Sequence, residues 1–228
     1  IGADALELII YLNDKLDTAK NMFAGCKSLV KIDCSNLNAE YIDQWTGSIN
    51  YERFLLDGPK IVEGRSNVAV LEFNIVKYKY ILETIGKEKS DMLILGLYKT
   101  ILAGMMDDSE IVVRFYGDRF VALMHEDNYD EIVRRIKSIQ ISIEQYISVH
   151  YDLKAEVIVG VYYPGKEITD FQAAISRAHI AQQHIDKTYL TETIALYRDE
   201  MMLSELNEST FEQNAKKALF DGHYQVVY

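Results

Sequence analysis

Apolar positions along this chain alternate between a strand-like and a helix-like spacing, and the switches between them mark its elements. "VAVLEF" (residues 68–73) is a short apolar run of the kind a buried strand shows. "DMLILGLYKTILAGM" places Met92, Leu95, Leu97, Ile101 and Leu102 on the predicted buried face of a helix. "EIVVRF" and "RFVALM" are two short strands about a Tyr116-Gly117-Asp118 centre, which predicts a hairpin. In "NYDEIVRRIKSIQISIEQYISV", Ile132, Ile136, Ile139, Ile143, Tyr146 and Ile147 recur at steps of three and four. That is an amphipathic helix, with Asn128 as its N-cap. "KAEVIVGVYY" reads as a strand. "ITDFQAAISRAHIAQQHI" reads as a helix capped by Thr169 or Asp170, with Phe171, Ala174, Ile175, Ala178 and Ile185 inward. "ETIALYR" reads as a last strand. The order strand, helices, hairpin, helix, strand, helix, strand predicts an α/β or α+β sandwich, with helices covering a mostly antiparallel sheet.

The two ends read differently. "MMLSELNESTFEQNAKKALFDG" is a helical connector that Asp221-Gly222 terminates, and "HYQVVY" starts something new. Near the beginning, Leu6, Ile9, Ile10, Leu16 and Phe23 have roughly helical spacing. "MFAGCKSLVKIDCSNLN" resembles one unit of a leucine-rich repeat, but a solenoid must stack about three such units to bury its faces. A helical or irregular lead-in is therefore the preferred reading of residues 1–40.

Composition narrows the function classes. The chain has 228 residues, 49% hydrophobic and 26% charged, with only 2 prolines, which suits a real core and argues against disorder. Its net charge of -11 disfavours nucleic-acid binding, which concentrates positive charge, and adhesion to an anionic membrane surface. Cys26 and Cys34 lack a C-x-x-C spacing and read as reduced thiols rather than a zinc site or disulfide framework. No signal peptide and no apolar run of about 18 residues is present. The chain starts without Met and ends in "YQVVY", so it is expected to be a piece of a longer protein, cytoplasmic here and with room for a membrane anchor elsewhere.

Three ordered motifs then carry a family resemblance over residues 43–200. "DQWTGSINYERF" is similar to D-x-L-T-G-x-x-N-R-x-x-F, keeping Asp43, Thr46, Gly47, Asn50 and Phe54 with Trp45 in place of Leu. "FNIVKYKYILETIGKEKSD" lies on D-x-D-x-F-K-x-I-N-D-x-x-G-H-x-x-G-D, keeping Lys79, Ile81, Gly86 and Asp91. "RFYGDRF" is similar to R-x-G-G-D-E-F. Together they resemble the GGDEF family, which condenses two GTP molecules into cyclic di-GMP. The resemblance implies a nucleotidyl-cyclase-like α+β fold with a central, mostly antiparallel five-stranded sheet flanked by helices. The tail "ALFDGHYQVVY" resembles the first strand of an EAL domain, the cyclic di-GMP phosphodiesterase family. The implied organisation is a lead-in at 1–42, a GGDEF-like domain at 43–200, and a linker helix plus EAL-like strand at 201–228.

That resemblance also shows what the site lacks. Carboxylate-held metal ions must neutralise the triphosphate and activate the attacking 3′-hydroxyl. The first metal ligand falls on Asn74, whose neutral amide removes a negative charge, while the second is kept as Asp118. The next position is Arg119, a cation where the family has a carboxylate. It can partly substitute for a cation at a phosphate but cannot activate a nucleophile. Asp118 and Arg119 are thus remnants of a catalytic set. Tyr116 replaces the first turn glycine, and two readings stand level: a ring filling the nucleotide's space, or an ordinary aromatic at a hairpin tip. Asp91 matches the reader of the guanine edge, but its asparagine partner falls on Leu82. The triphosphate-binding Lys and Arg fall on Asp186 and Leu190, with Lys187 one residue off. Candidate nucleotide contacts are therefore Asp91, Tyr116, Gly117 and Lys187, with weak Mg²⁺ and GTP binding at most. "DDSE" (residues 107–110) stands at the family's product-inhibition motif and lacks its arginine, so no inhibitory site is expected. His125, His179 and His184 lack a ligand spacing and read as surface or supporting residues.

At about 1–3 kcal/mol for each lost contact, turnover falls by many orders of magnitude. The expectation is a non-catalytic regulatory domain that relays a signal or nucleotide binding to a following EAL domain, within a homodimer. The alternatives are a divergent active cyclase using Asp118 and Asn74 with one metal, and a purely structural dimerisation module.

Overall fold

The apolar run at residues 68–73 is the middle of the structure. A computed structural model describes residues 41–106 and 109–221. The lead-in with its repeat-like unit and both cysteines, Asp107 and Asp108 of the "DDSE" stretch, and the "HYQVVY" stretch all lie outside the described residues. In chain order the elements are α1 (Tyr51–Val62), β1 (Val68–Ile75), α2 (Tyr78–Ile85), α3 (Lys87–Leu102), β2 (Ile111–Tyr116), β3 (Arg119–His125), α4 (Tyr129–Tyr151), β4 (Val157–Tyr162), α5 (Phe171–Gln183), β5 (Ile194–Leu196) and α6 (Asp199–Phe220).

The five strands lie in the order β2-β3-β1-β4-β5. All neighbours are antiparallel except β4 and β5, which are parallel. This is the α+β, mostly antiparallel sheet that the sequence predicts. Because side chains alternate across a strand, β1 feeds two cores. Ala69, Leu71, Phe73 and Ile75 face the layer of α2, α3 and α4. Val68 and Val70 face the layer of α1 and α5. Glu72 and Asn74 continue that second face toward one end of the sheet, where the β2–β3 turn sits.

Several local signals work as read. The Asn128 side chain accepts from Glu131 N at the start of α4, and Asp170 rather than Thr169 caps α5, accepting from Ala173 N. The isoleucine stripe of α4 is buried, and Tyr146 packs partly buried at its edge. In α3 the buried stripe differs from the expected one. It is Leu93, Ile94, Leu97 and Ile101, whereas Met92 is 67% and Leu102 is 42% exposed. Leu93, Leu97 and Ile101 step by four residues, and starting the count at Met92 turns the face by about 100°. Helix α1 has no clear signal, because Gly58-Pro59 interrupts its pattern and Pro59 lies inside it. Gly58 is required by packing: a Cβ there would meet the Phe171 ring at 2.1 Å.

Arg135 stands on the buried stripe of α4, where a charge needs partners. Its Nη1 and Nη2 donate to Glu110 Oε1 and Oε2 at 2.7 and 2.6 Å, and further bonds reach Glu126 and the Gly104 carbonyl. Glu110 also accepts from the backbone N–H groups of His125 and Met106. Burial pushes the Glu110 carboxyl up, but the Arg135 bond and these two backbone bonds outweigh it and leave the carboxyl below its usual range. Glu110 thus serves the fold at the position of the inhibitory-motif acid. Among the described residues no helix is long and apolar enough to cross a membrane.

Because the folded-state pKa of Glu110 is depressed, its stabilisation is present above the unfolded value of 4.5 and is lost as pH falls. Glu110→Gln removes the bidentate carboxylate of a buried guanidinium, leaving it Glu126 alone as an anionic partner, and is expected to lower unfolding free energy at neutral pH by about 3 kcal/mol. Urea unfolding across pH checks this: the two proteins should converge as pH drops below the carboxyl range.

Candidate functional site

The site is built where β1 ends beside the β2–β3 turn. Phe73 pairs with Phe120 in β3 and Val159 in β4, which places the end of β1 against the start of β3. Gly117 takes φ +56, a left-handed conformation that glycine accepts freely, and turns Asp118 inward. Asp118 is only 9% exposed. Its Oδ2 accepts from Ile75 N at 2.8 Å and from Asn74 Nδ2 at 3.1 Å. The two residues predicted as remnant metal ligands are therefore in contact, through a hydrogen bond between them. Burial raises the Asp118 carboxyl to about 6, opposed by the Ile75 backbone bond and by the charges of Arg119 and Lys187. The Lys187 side chain itself is exposed.

Arg119 is engaged elsewhere. Its Nε and Nη2 donate to Glu72 Oε1 and Oε2 at 2.9 and 3.0 Å, and the guanidinium lies 4.7 Å over the Phe115 ring. His179 Nδ1 completes the cluster, 2.8 Å from Glu72 Oε1 and 2.7 Å from Arg119 Nη2. Glu72 is 1% exposed, so the charge of Arg119 is committed to a buried carboxylate rather than offered to a phosphate. Sequence reasoning missed Glu72, which sits inside a run read as apolar. A carboxylate at that position was itself the signal.

The "D-x-x-T-G" residues build the turn's support. Asp43 Oδ1 accepts from Trp45 N, Thr46 N and Thr46 Oγ1. Asp43 Oδ2 accepts from Arg114 Nη1 at 3.2 Å, and Arg114 Nε donates to the Gly117 carbonyl at 2.8 Å. The same guanidinium lies 4.4 Å from the Trp45 ring, and Trp45 Nε1 donates to Asp91 Oδ1 at 2.9 Å. A cavity of about 510 Å³ opens here, lined by Gln44, Trp45, Lys87, Asp91, Met92 and Leu95.

Other expected contacts separate from the turn. Tyr116 is 76% exposed, which favours the hairpin-tip reading over a ring filling the turn. Leu82 packs against the main core. Leu190 packs against Val76, Ile158 and Ile185, an apolar role in place of a phosphate contact. Asp186 Oδ1 accepts from Thr188 N, at 2.7 Å, and from Tyr189 N. His184 lies at the end of α5, its Nδ1 2.9 Å from Ile180 O, and His125 sits between Ser109 and Arg65. No group of three or more His, Cys, Asp or Glu that could hold a metal ion occurs among the described residues. With one carboxylate, and an amide whose N–H side faces it, the donor set at Asn74 and Asp118 does not fit a pair of divalent ions.

Asp118 has a raised pKa, so its folded form holds a proton more tightly than the unfolded chain. Its stabilising influence is complete below the unfolded value of 3.8 and fades as pH rises through about 6. Asp118→Asn is expected to gain on the order of 2 kcal/mol over wild type above that window and nothing below it. Thermal unfolding across pH, without added divalent ions, checks the crossover. Arg119→Ala should cost about 3 kcal/mol at neutral pH in the same assay, by leaving the buried Glu72 with His179 alone beside it.

Comparison with known proteins follows the same outline. Residues 52–189 match the family described as diguanylate cyclase, GGDEF domain. No curated protein matches the sequence. Among solved structures, the GGDEF domain of Pseudomonas aeruginosa TpbB (YfiN) is similar at 21% identity and TM-score 0.60, covering 72% of this chain and 99% of that one. The GGDEF domain of DgcB from Caulobacter crescentus, in complex with c-di-GMP, is 13% identical with TM-score 0.57, covering 68% and 95%. The S helix-GGDEF-EAL portion of Vibrio cholerae LapD, bound to c-di-GMP, is 12% identical with TM-score 0.60, covering 77% of this chain and 43% of that one. At such identities these likenesses bear on the fold.

Proposed function

The chain belongs to the GGDEF domain family of diguanylate cyclases, and from that premise we propose that it is a regulatory domain of cyclic di-GMP signalling that makes no cyclic di-GMP itself. Domains of this family work with GTP and Mg²⁺ and bind guanine nucleotides. In this reading residues 43–200 form the domain, and residues 201–228 lead into an EAL phosphodiesterase domain that it modulates, in a homodimer.

The observation that carries the reading is the hydrogen bond from Asn74 Nδ2 to Asp118 Oδ2. Joining two GTP molecules requires a 3′-hydroxyl made nucleophilic and a triphosphate whose charge is neutralised. At the metal position one ligand is an amide that donates to the other. The adjacent carboxylate position is filled by Arg119, whose charge is spent on Glu72. Arg119 cannot accept a proton, and its charge is not free to lend. What remains is a base-reading carboxylate, Asp91, and the exposed Lys187, enough for weak nucleotide binding without turnover. Asp91 would accept from a guanine edge, and Lys187 would approach a phosphate.

Incubation with GTP and Mg²⁺ or Mn²⁺, followed by chromatography, should yield no cyclic di-GMP. Product that disappears in Asp118→Ala would instead establish a divergent cyclase. Removing residues 43–200 from the longer protein should change its phosphodiesterase activity. Unchanged activity together with an unchanged oligomeric state would sink the regulatory role, and loss of dimerisation alone would favour a structural module.

A further inference from the structure

Trp45 is the only tryptophan in the chain, and it is restrained at three points. Its backbone N–H donates to Asp43 Oδ1, Arg114 lies 4.4 Å from its ring, and its indole N–H donates to Asp91 Oδ1 at 2.9 Å. The ring packs partly buried against the main core and forms one wall of the 510 Å³ cavity that Asp91 also lines. A flat aromatic ring that presents an N–H to a carboxylate, with a cation on its face, has the recognition chemistry of a purine edge. We propose that Trp45 is a built-in occupant of the base subsite, an autoinhibitory plug that a guanine nucleotide must displace to reach Asp91. This rests on the reading of Asp91 as the base acceptor.

Two consequences follow from the connections of Trp45. An incoming guanine competes for an acceptor that is already bonded, so its apparent affinity is lowered by the fraction of molecules in which the indole has left. The plug is also tied to the turn, because the guanidinium against the Trp45 ring holds Asp43 Oδ2 and the Gly117 carbonyl. Displacing the indole removes the aromatic face from Arg114 and so loosens the support of residues 43–47 and of the hairpin tip together. Nucleotide occupancy at Asp91 is thereby coupled to the turn that carries Asp118.

The test uses the tryptophan itself and the full chain. First, Asp91→Ala should shift the emission of Trp45 and raise its quenching by acrylamide, because the indole loses its anchor. Unchanged emission and quenching would overturn the plug directly. Second, calorimetry with GTP should show Trp45→Leu binding about tenfold more tightly than wild type, with Trp45→Phe, which keeps a ring but loses the donor, in between. Circular dichroism of Trp45→Phe, the milder replacement, checks that the fold is kept. If wild type and both variants bind GTP equally, the plug is wrong while the nucleotide reading stands. If none of them binds GTP, the nucleotide reading fails and the plug falls with it.

Discussion

Strand β1 is hydrogen-bonded along both edges, to β3 on one side and β4 on the other, and the register of those two ladders governs the rest of the molecule. Because side chains alternate, a slip of one residue would exchange its two faces, sending Leu71 and Phe73 toward α1 and α5 and Glu72 into the larger core. The cost of that exchange locks the register. Once it is locked, Ile75 N must point at the residue that turns inward after Gly117, and Asn74 must stand beside it. The contact between Asn74 and Asp118 is thus a property of the sheet, made before any ligand arrives.

Much of this was legible in the sequence because burial and periodicity speak through many residues at once. The isoleucines of α4, the hairpin about Gly117 and the caps at Asn128 and Asp170 each follow from repeated or chemically distinctive signals. The phase of α3 was misjudged because Met92, Leu93, Ile94 and Leu95 form an unbroken apolar block, in which any starting point looks plausible. Helix α1 was invisible because its defining contact, Gly58 against the Phe171 ring, joins residues that are 113 positions apart.

The candidate site was legible in part for a different reason. Motif positions identify which residues meet, and Asn74 and Asp118 do meet. They do not reveal what each charged group is bonded to. Arg119 reads as a spare cation until Glu72 is seen beneath it, and Asp91 reads as an open acceptor until the Trp45 indole is seen upon it. In both cases the partner is distant in sequence, and the decisive fact is a hydrogen bond between side chains.

The Glu72–Arg119 pair also shapes which sequences are neighbours of this one. A carboxylate at position 119 would face another carboxylate in a nearly dry site, and a neutral residue at position 72 would leave a guanidinium half-enclosed. Each position therefore sets the tolerance of the other, and the two can change only together or through a weakened intermediate. Among related chains, residues 72 and 119 should covary in charge, and an arginine in the turn should travel with an acid on the central strand. The character of the turn is in this sense inherited from the middle of the sheet.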